Sequence, residues 1–214
     1  MKLFTYYRSS AAFRVRIVLN LKGIAYESIP RHLTRGGGEH LRPDYLALNP
    51  QGLIPALEDG GVVLAQSLAI IDYLDEKFPQ PPLLPGDAMQ RAQIRAMALG
   101  IACEIHPLQN LRVTNYLSRE MGQNDEAIAK WRAHWITAGF AALEALVKQH
   151  TGDGKHCFGS SVTLADVLLL PQIFSSRRFQ IDLAPYPTLR SVGAHLETLP
   201  AFTKAAPQAQ ADAE

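Results

Sequence analysis

Residues Lys2 to Tyr7 are rich in β-formers, and the apolar run that follows, Phe13 to Lys22, stops at Gly23, so the chain opens as a strand and then a helix. Ala25 to Pro30 predicts a second strand, Arg35-Gly36-Gly37-Gly38 a loop and Leu41 to Leu48 a short helix. Two brief strands, Pro55 to Glu58 and Val62 to Ala65, flank Asp59-Gly60-Gly61, whose glycines permit the positive φ of a hairpin turn. From Ser67 the period becomes helical: Ile71, Leu74 and Phe78 share a stripe while Asp72, Asp75 and Glu76 turn elsewhere. The predicted order is βαβαββα.

Residues 79–86 carry four prolines in eight positions and cannot continue a helix, so they mark a linker between a domain at 1–80 and a second at 87–214. Beyond them no convincing strand remains. Ile94, Met97, Ala98, Ile101 and Ile105 recur at steps of three and four and predict one long helix; Ile128, Trp131, Trp135, Gly139, Leu143 and Leu146 predict a second. Thr163-Leu164-Ala165-Asp166 starts a third, with capping-box logic in which Asp166 takes the place of the usual Glu. The fold class is therefore α/β followed by all-α.

Composition narrows the function classes. A hydrophobic share of 47% and a charged share of 19% suit a packed globular chain. Lys and Arg number 21 against 20 Asp and Glu, so no overall basic field draws nucleic acid or an anionic membrane. No apolar run reaches the ~20 residues of a spanning helix, and Arg8, Arg14 and Arg16 interrupt any signal-peptide core, so a cytoplasmic protein is expected. Cys103 and Cys157 lack redox or zinc spacing, a disulfide is not expected, and the seven histidines show no metal-ligand pattern, so no metal is expected.

Three segments hold candidate chemistry. A helix that starts through Arg8-Ser9-Ser10-Ala11-Ala12 aims free backbone amides, a positive dipole end and serine hydroxyls at one point, which suits a thiolate or other anion; a plain N-cap reads the same way. In Asn49-Pro50-Gln51-Gly52-Leu53-Ile54-Pro55, the Ile54–Pro55 bond is either cis in a tight turn or an ordinary strand start. Gln66-Ser67 supplies a second helix N-terminus, suited to a carboxylate or simply another cap.

Together these segments resemble the zeta class of glutathione transferases, which includes maleylacetoacetate and maleylpyruvate isomerases. The matching pieces are Ser9-Ser10-x-x-Phe13-Arg14-x-Arg16, Leu48 to Pro55, Gln66-Ser67, His106-Pro107-Leu108-Gln109-Asn110-Leu111, Thr163 to Asp166, and Arg178 to Leu183 before Pro185-Tyr186-Pro187; they span nearly the whole chain. The resemblance implies a thioredoxin-like glutathione-binding domain, an all-helical substrate domain, glutathione as cofactor and a homodimer. It also implies that Ser9 or Ser10 donates to the glutathione sulfur, Ile54 pairs its backbone with the tripeptide, and Gln66 and Ser67 hold the γ-glutamyl end. His40 and Gln51 would contact the glycyl side, and His106 and Asn110, four apart on one helix face, would approach from the second domain. Ala11 and Phe13 depart from the Cys and Trp that zeta enzymes often carry. Tyr6 and Tyr7 lie where other classes place a sulfur-donating tyrosine, and they are read here as strand or pocket-wall residues.

The implied reaction is cis–trans isomerisation of a dicarboxylic keto acid, maleylacetoacetate or maleylpyruvate, in aromatic degradation: the thiolate adds to the conjugated alkene, the resulting single bond rotates, and elimination returns the trans isomer. Arg8, Arg112 and Arg178 are the candidate anchors for the carboxylates, because a guanidinium offers a fixed bidentate fork. Two alternatives stand beside it: a transferase that conjugates or dehalogenates small electrophiles such as α-halo acids, and a transferase fold kept as a binding module.

Overall fold

A computed structural model describes residues 1–214 and divides them into two compact units, one of Met1–Pro82 with Thr198–Glu214 and the other of Leu83–Glu197. The division falls inside the proline-rich 79–86 segment. The sequence reading carried 87–214 as a single piece, whereas Thr198–Glu214 is compact with the first unit. The reason is packing that no local pattern announces. Helix α10 (Pro200–Ala205) lies on helix α1 (Ser10–Leu21) with Phe202 and Ala205 fully buried, and the Asn20 amide donates to the Ala201 carbonyl at 3.0 Å.

The first unit follows the predicted order: β1 (Lys2–Thr5), α1, β2 (Glu27–Pro30), α2 (Pro43–Leu46), β3 (Ala56–Asp59), β4 (Val62–Ala65) and α3 (Ser67–Lys77). The sheet order is β2-β1-β3-β4, with β1 parallel to β2 and antiparallel to β3. β3 and β4 pair as the expected hairpin, from Ala56 opposite Ala65 to Asp59 opposite Val62. Helix α1 is buried almost all round, Phe13, Val15, Ile17, Val18 and Leu19 among others, and it carries Arg14 and Arg16 inward with them. β1 ends at Thr5, so Tyr6 and Tyr7 lie in the turn that leads into α1. At the far end of α1 the fully buried Lys22 ammonium donates to Asp75 at 2.8 Å and to the carbonyls of Phe78 and Pro81, tying α1 to the C-terminus of α3.

The second unit is helical: α4 (Ala88–Leu99), α5 (His106–Gln109), α6 (Leu111–Arg119), α7 (Asp125–His150), α8 (Leu164–Arg178) and α9 (Pro187–Leu196). The single helix expected across Ile94 to Ile105 is α4 continued by a π-helical stretch, Gly100–Ile105. Pro107 sits in the first turn of α5, where its missing amide costs nothing, and Asn110 breaks the helix at φ −64°, ψ 148°. Gly139 of α7 belongs to the apolar stripe for reasons of space, since a Cβ there would collide with the buried Ile105 side chain. The capping box at Thr163 forms as expected: the Asp166 carboxylate accepts the Thr163 N–H at 2.8 Å. It also accepts the Cys157 N–H at 2.7 Å, a contact from a loop that the motif did not foretell. No helix of the chain is long and apolar enough to cross a membrane.

Candidate functional site

Ser9 is the N-cap of α1. Its backbone is extended (φ −70°, ψ 114°) and its Oγ accepts the Ala12 N–H at 3.2 Å, so its lone pair satisfies one of the free amides of the first turn while its hydroxyl hydrogen stays available to donate. Ser10, the first helical residue, is buried at 7% exposure. The cap reading of the Ser-Ser turn is thus realised by Ser9, and the positive helix end persists beside it.

Arg8, just upstream, is exposed, and its guanidinium stands over the Tyr7 ring at 4.8 Å. Burial works to lower its pKa, the neighbouring Tyr6 and Tyr7 phenols work to raise it, and the net is upward, so Arg8 stays cationic. Tyr6 and Tyr7 are buried edge-to-face against each other with ring centroids 4.8 Å apart. Burial pushes the Tyr6 phenol up, which holds it in the protonated form. Both rings are buried just beyond the end of β1.

One turn along α1, the buried Arg14 sends its guanidinium to the Ser67 hydroxyl at 3.4 Å, at the start of α3. Helix α1 is therefore joined to the start of α3 through one buried cation. Gln66, the N-cap of α3, is held at φ 69°, ψ 118°, a region that non-glycine residues occupy at a cost of about 1–3 kcal/mol. Its side chain makes no cap and instead donates to Gln51 Oε1 at 2.7 Å, which brings together two residues fifteen positions apart in sequence.

The Ile54–Pro55 bond is cis, the first of the two alternatives. The Leu53 carbonyl accepts from the Tyr45 hydroxyl at 2.6 Å and from Asn49 Nδ2 at 2.8 Å. The Leu53–Ile54 peptide is trans, so anchoring its oxygen turns the Ile54 N–H away from Tyr45 and Asn49. His40, on a short 3₁₀ turn (Glu39–Leu41), is half-buried; burial lowers its pKa, and a hydrogen bond with the His32 backbone acts against that lowering.

In the second unit the expected arrangement needs a correction. His106 opens α5, but Asn110 is the extended N-cap of α6 and its Oδ1 accepts the Arg112 N–H at 3.1 Å, so His106 and Asn110 do not share a helix face. An asparagine side chain competes for a backbone amide better than it continues a helix, and here the cap wins. Arg112 is exposed in the first turn of α6. Arg178 is the last residue of α8; its guanidinium lies 4.6 Å from the centre of the Phe179 ring, and Arg132 of α7 lies at the same distance from that ring. Burial lowers the pKa of Arg132, whose Nε is enclosed without a partner.

Sequence reasoning passed over Arg14, Tyr45, Asn49 and Arg132 as separate actors. Arg14 had a visible signal, a charge inside the apolar run of α1, and so did Arg16. No group of three or more His, Cys, Asp or Glu side chains is placed to hold a metal ion, and both cysteines are free.

Residues 3–82 match the family model for the glutathione S-transferase N-terminal domain. A probable maleylacetoacetate isomerase of Vibrio cholerae is 49% identical over 99% of this chain and 97% of its own length. A maleylpyruvate isomerase of Ralstonia sp is 49% identical over 99% of each. Among solved structures, the holo form of a maleyl pyruvate isomerase, a bacterial zeta-class glutathione transferase, superposes with a TM-score of 0.96 at 48% identity over the whole of both chains. A maleylacetoacetate isomerase from Anaeromyxobacter dehalogenans 2CP-1, with dicarboxyethyl glutathione and citrate in its active site, superposes with a TM-score of 0.85 at 38% identity, over 100% of this chain and 93% of that one. With serines at the starts of α1 and α3, the second of them bonded to a buried arginine of α1, and with relatives of this likeness along its full length, the chain belongs to the zeta class of the glutathione transferases.

Proposed function

We propose that this protein is a glutathione-dependent isomerase that converts maleylacetoacetate or maleylpyruvate to its fumaryl isomer. The observation that carries the reading is the pair of anion-ready helix starts in the first unit, Ser9-Ser10 on α1 and Ser67 on α3, the second of them bonded to the buried Arg14 of α1. A γ-glutamyl tripeptide offers a thiol to the first and an α-carboxylate to the second. The other groups present fit the same ligand. The Ile54 N–H is oriented by the anchored Leu53 carbonyl, and the half-buried His40 lies on the 3₁₀ turn Glu39–Leu41.

When bound, glutathione supplies a thiolate that adds reversibly to the conjugated alkene. The residues of the chain supply the rest. The Ser9 and Ser10 hydroxyls and the α1 N-terminus stabilise negative charge at the sulfur position, which lowers the thiol pKa. Ile54 pairs through its backbone, Gln66 and Ser67 hold the γ-glutamyl end, and His40 and Gln51 hold the glycyl end. Arg8, exposed and cationic, anchors a substrate carboxylate, and Arg112 and Arg178 are proposed for the same task. Only His106 and Asn110 lose their basis as a matched pair.

The ligand of the Anaeromyxobacter relative supports the chemistry, since a dicarboxyethyl group is what glutathione acquires when its thiol adds across an alkene that bears a carboxyl on each carbon. Incubation with glutathione and each maleyl keto acid is the test. Loss of substrate with no loss of free thiol is the expected result; stoichiometric thiol loss would assign a conjugating enzyme instead. A homodimer in the cytoplasm is proposed alongside, and sedimentation at the mass of a single 23.6 kDa chain would refute the dimer.

A further inference from the structure

The Ser-Ser turn is supported from a part of the chain some two hundred residues away. The Tyr7 N–H donates to Asp212 Oδ2 at 3.0 Å. On the other side of the same residue the Tyr7 carbonyl accepts from Arg16 Nη2 at 3.0 Å, while the Tyr6 carbonyl accepts both from Arg16 Nη1 at 3.3 Å and from the Ser9 N–H at 2.9 Å. Both peptide groups that flank Tyr7 are therefore held by charged side chains, one acidic and one basic. The next link is Ser9 itself.

Arg16 is fully buried, with two further bonds, to Thr5 Oγ1 at 3.0 Å and to the Ala205 carbonyl at 2.9 Å. Burial lowers its pKa to about 10, and the charges of Tyr26 and Asp212 act against that lowering. Asp212 is thus an acidic partner in the field of a buried cation as well as an acceptor for the turn. The segment that carries it is fastened on both sides. Gln210 Nε2 donates to the carbonyls of Lys204 and Ala206 at the end of α10, and Glu214 pairs with Arg35 and lies 3.6 Å from His32, whose ring stands edge-on to Tyr6. Residues Pro207 to Glu214 form a strap across the base of the sulfur-binding turn.

We infer that Asp212 is a positioning residue for the glutathione thiolate: by fixing the Tyr7 peptide between its carboxylate and Arg16, it sets the direction in which Ser9 and Ser10 present their hydroxyls. The inference rests on the proposed glutathione site at that turn. A carboxylate on a backbone N–H makes a charge-assisted bond about twice as strong as a neutral one. A misplacement near 1 Å of a group that must meet a reacting atom costs up to about a hundredfold in rate. The strap is therefore well suited to act on chemistry without touching the ligand.

The test compares Asp212→Ala and Asp212→Asn with the wild type in three readings: thermal midpoint, KM for glutathione against KM for the maleyl substrate, and the ultraviolet titration of the bound glutathione thiolate. For Asp212→Ala the expected outcome is a thiol midpoint raised by about one unit and a KM for glutathione raised about tenfold, with the KM for the maleyl substrate little changed. Asp212→Asn retains an acceptor for Tyr7 and should recover most of the glutathione affinity. A lowered thermal midpoint with an unmoved thiol titration would reduce Asp212 to a structural anchor and overturn the inference. If the wild type itself showed no bound thiolate, the failure would lie with the glutathione site and not with the strap.

Discussion

Replacement of Asp166 by Ala tests the energetics of the second unit. The Asp166 carboxylate is fully buried and accepts three hydrogen bonds, from Cys157 N–H at 2.7 Å, Thr163 N–H at 2.8 Å and the Thr163 hydroxyl at 2.8 Å. Alanine leaves two backbone amides enclosed without acceptors, each at about 1–3 kcal/mol, and removes a helix cap at about 1 kcal/mol. Against this stands relief from burying a charge, the same burial that pushes the Asp166 pKa above the usual aspartate value in spite of its donors. A net loss of about 4 kcal/mol follows, and at roughly 2–4 °C per kcal/mol for a chain of this length the thermal midpoint should fall by about 8–16 °C. Asp166→Asn keeps one acceptor and should lose about half as much. The pH dependence has a definite sign. With its pKa raised on folding, Asp166 binds its proton more tightly in the native state. Its ionisation therefore subtracts stability as pH climbs from the ordinary aspartate value through the raised one. The Asn variant should lack that component. Calorimetry or circular dichroism across that range is the assay, and a fall of less than about 3 °C for Asp166→Ala at neutral pH would refute the reasoning.

Further outcomes follow from other sites. Ser67→Ala removes an acceptor of the buried Arg14 guanidinium and should raise the KM for glutathione about tenfold with little change in kcat; an equal fall in kcat would place Ser67 in the chemical step instead. Lys22→Met leaves Asp75 without its fully buried partner and should cost about 3–5 kcal/mol in urea unfolding, so a loss below 1 kcal/mol would show the pair to be incidental. Tyr45, whose phenol burial pushes up to about 12, keeps its proton in the native state where the unfolded chain has released it. Stability should accordingly decline from pH 10 to 12, and a 295 nm titration of the native protein with every tyrosine near 10 would contradict this.

The order βαβαββα, the hairpin at Asp59-Gly60-Gly61 and the capping box at Thr163 were all legible along the chain. Each rests on interactions within a few residues: strand alternation, glycine turns and a side chain that reaches its own first turn. The residues proposed to meet glutathione in the first unit drew notice in the same way, because Ser9, Ile54 and Gln66 each stand at an element boundary that composition marks. Local signals failed where two short-range preferences competed. Spacing placed His106 and Asn110 on one helix, but the Asn110 side chain captures the Arg112 amide and starts a new helix there.

What the sequence determined by itself, then, is the succession of elements in the first unit and the helix starts at Ser10 and Ser67, which depend on near neighbours in the chain, together with the family that their motifs carry. Only the tertiary structure decided that Arg14 reaches Ser67 at the start of α3, that Tyr45 and Asn49 orient the Leu53 peptide, and that the last seventeen positions from Thr198 return to the first unit to place Asp212 on Tyr7. Those contacts link residues from a few to some two hundred positions apart, and no periodicity encodes them. They form because a buried guanidinium, carboxylate or peptide group must find a partner wherever the folded chain brings one within reach.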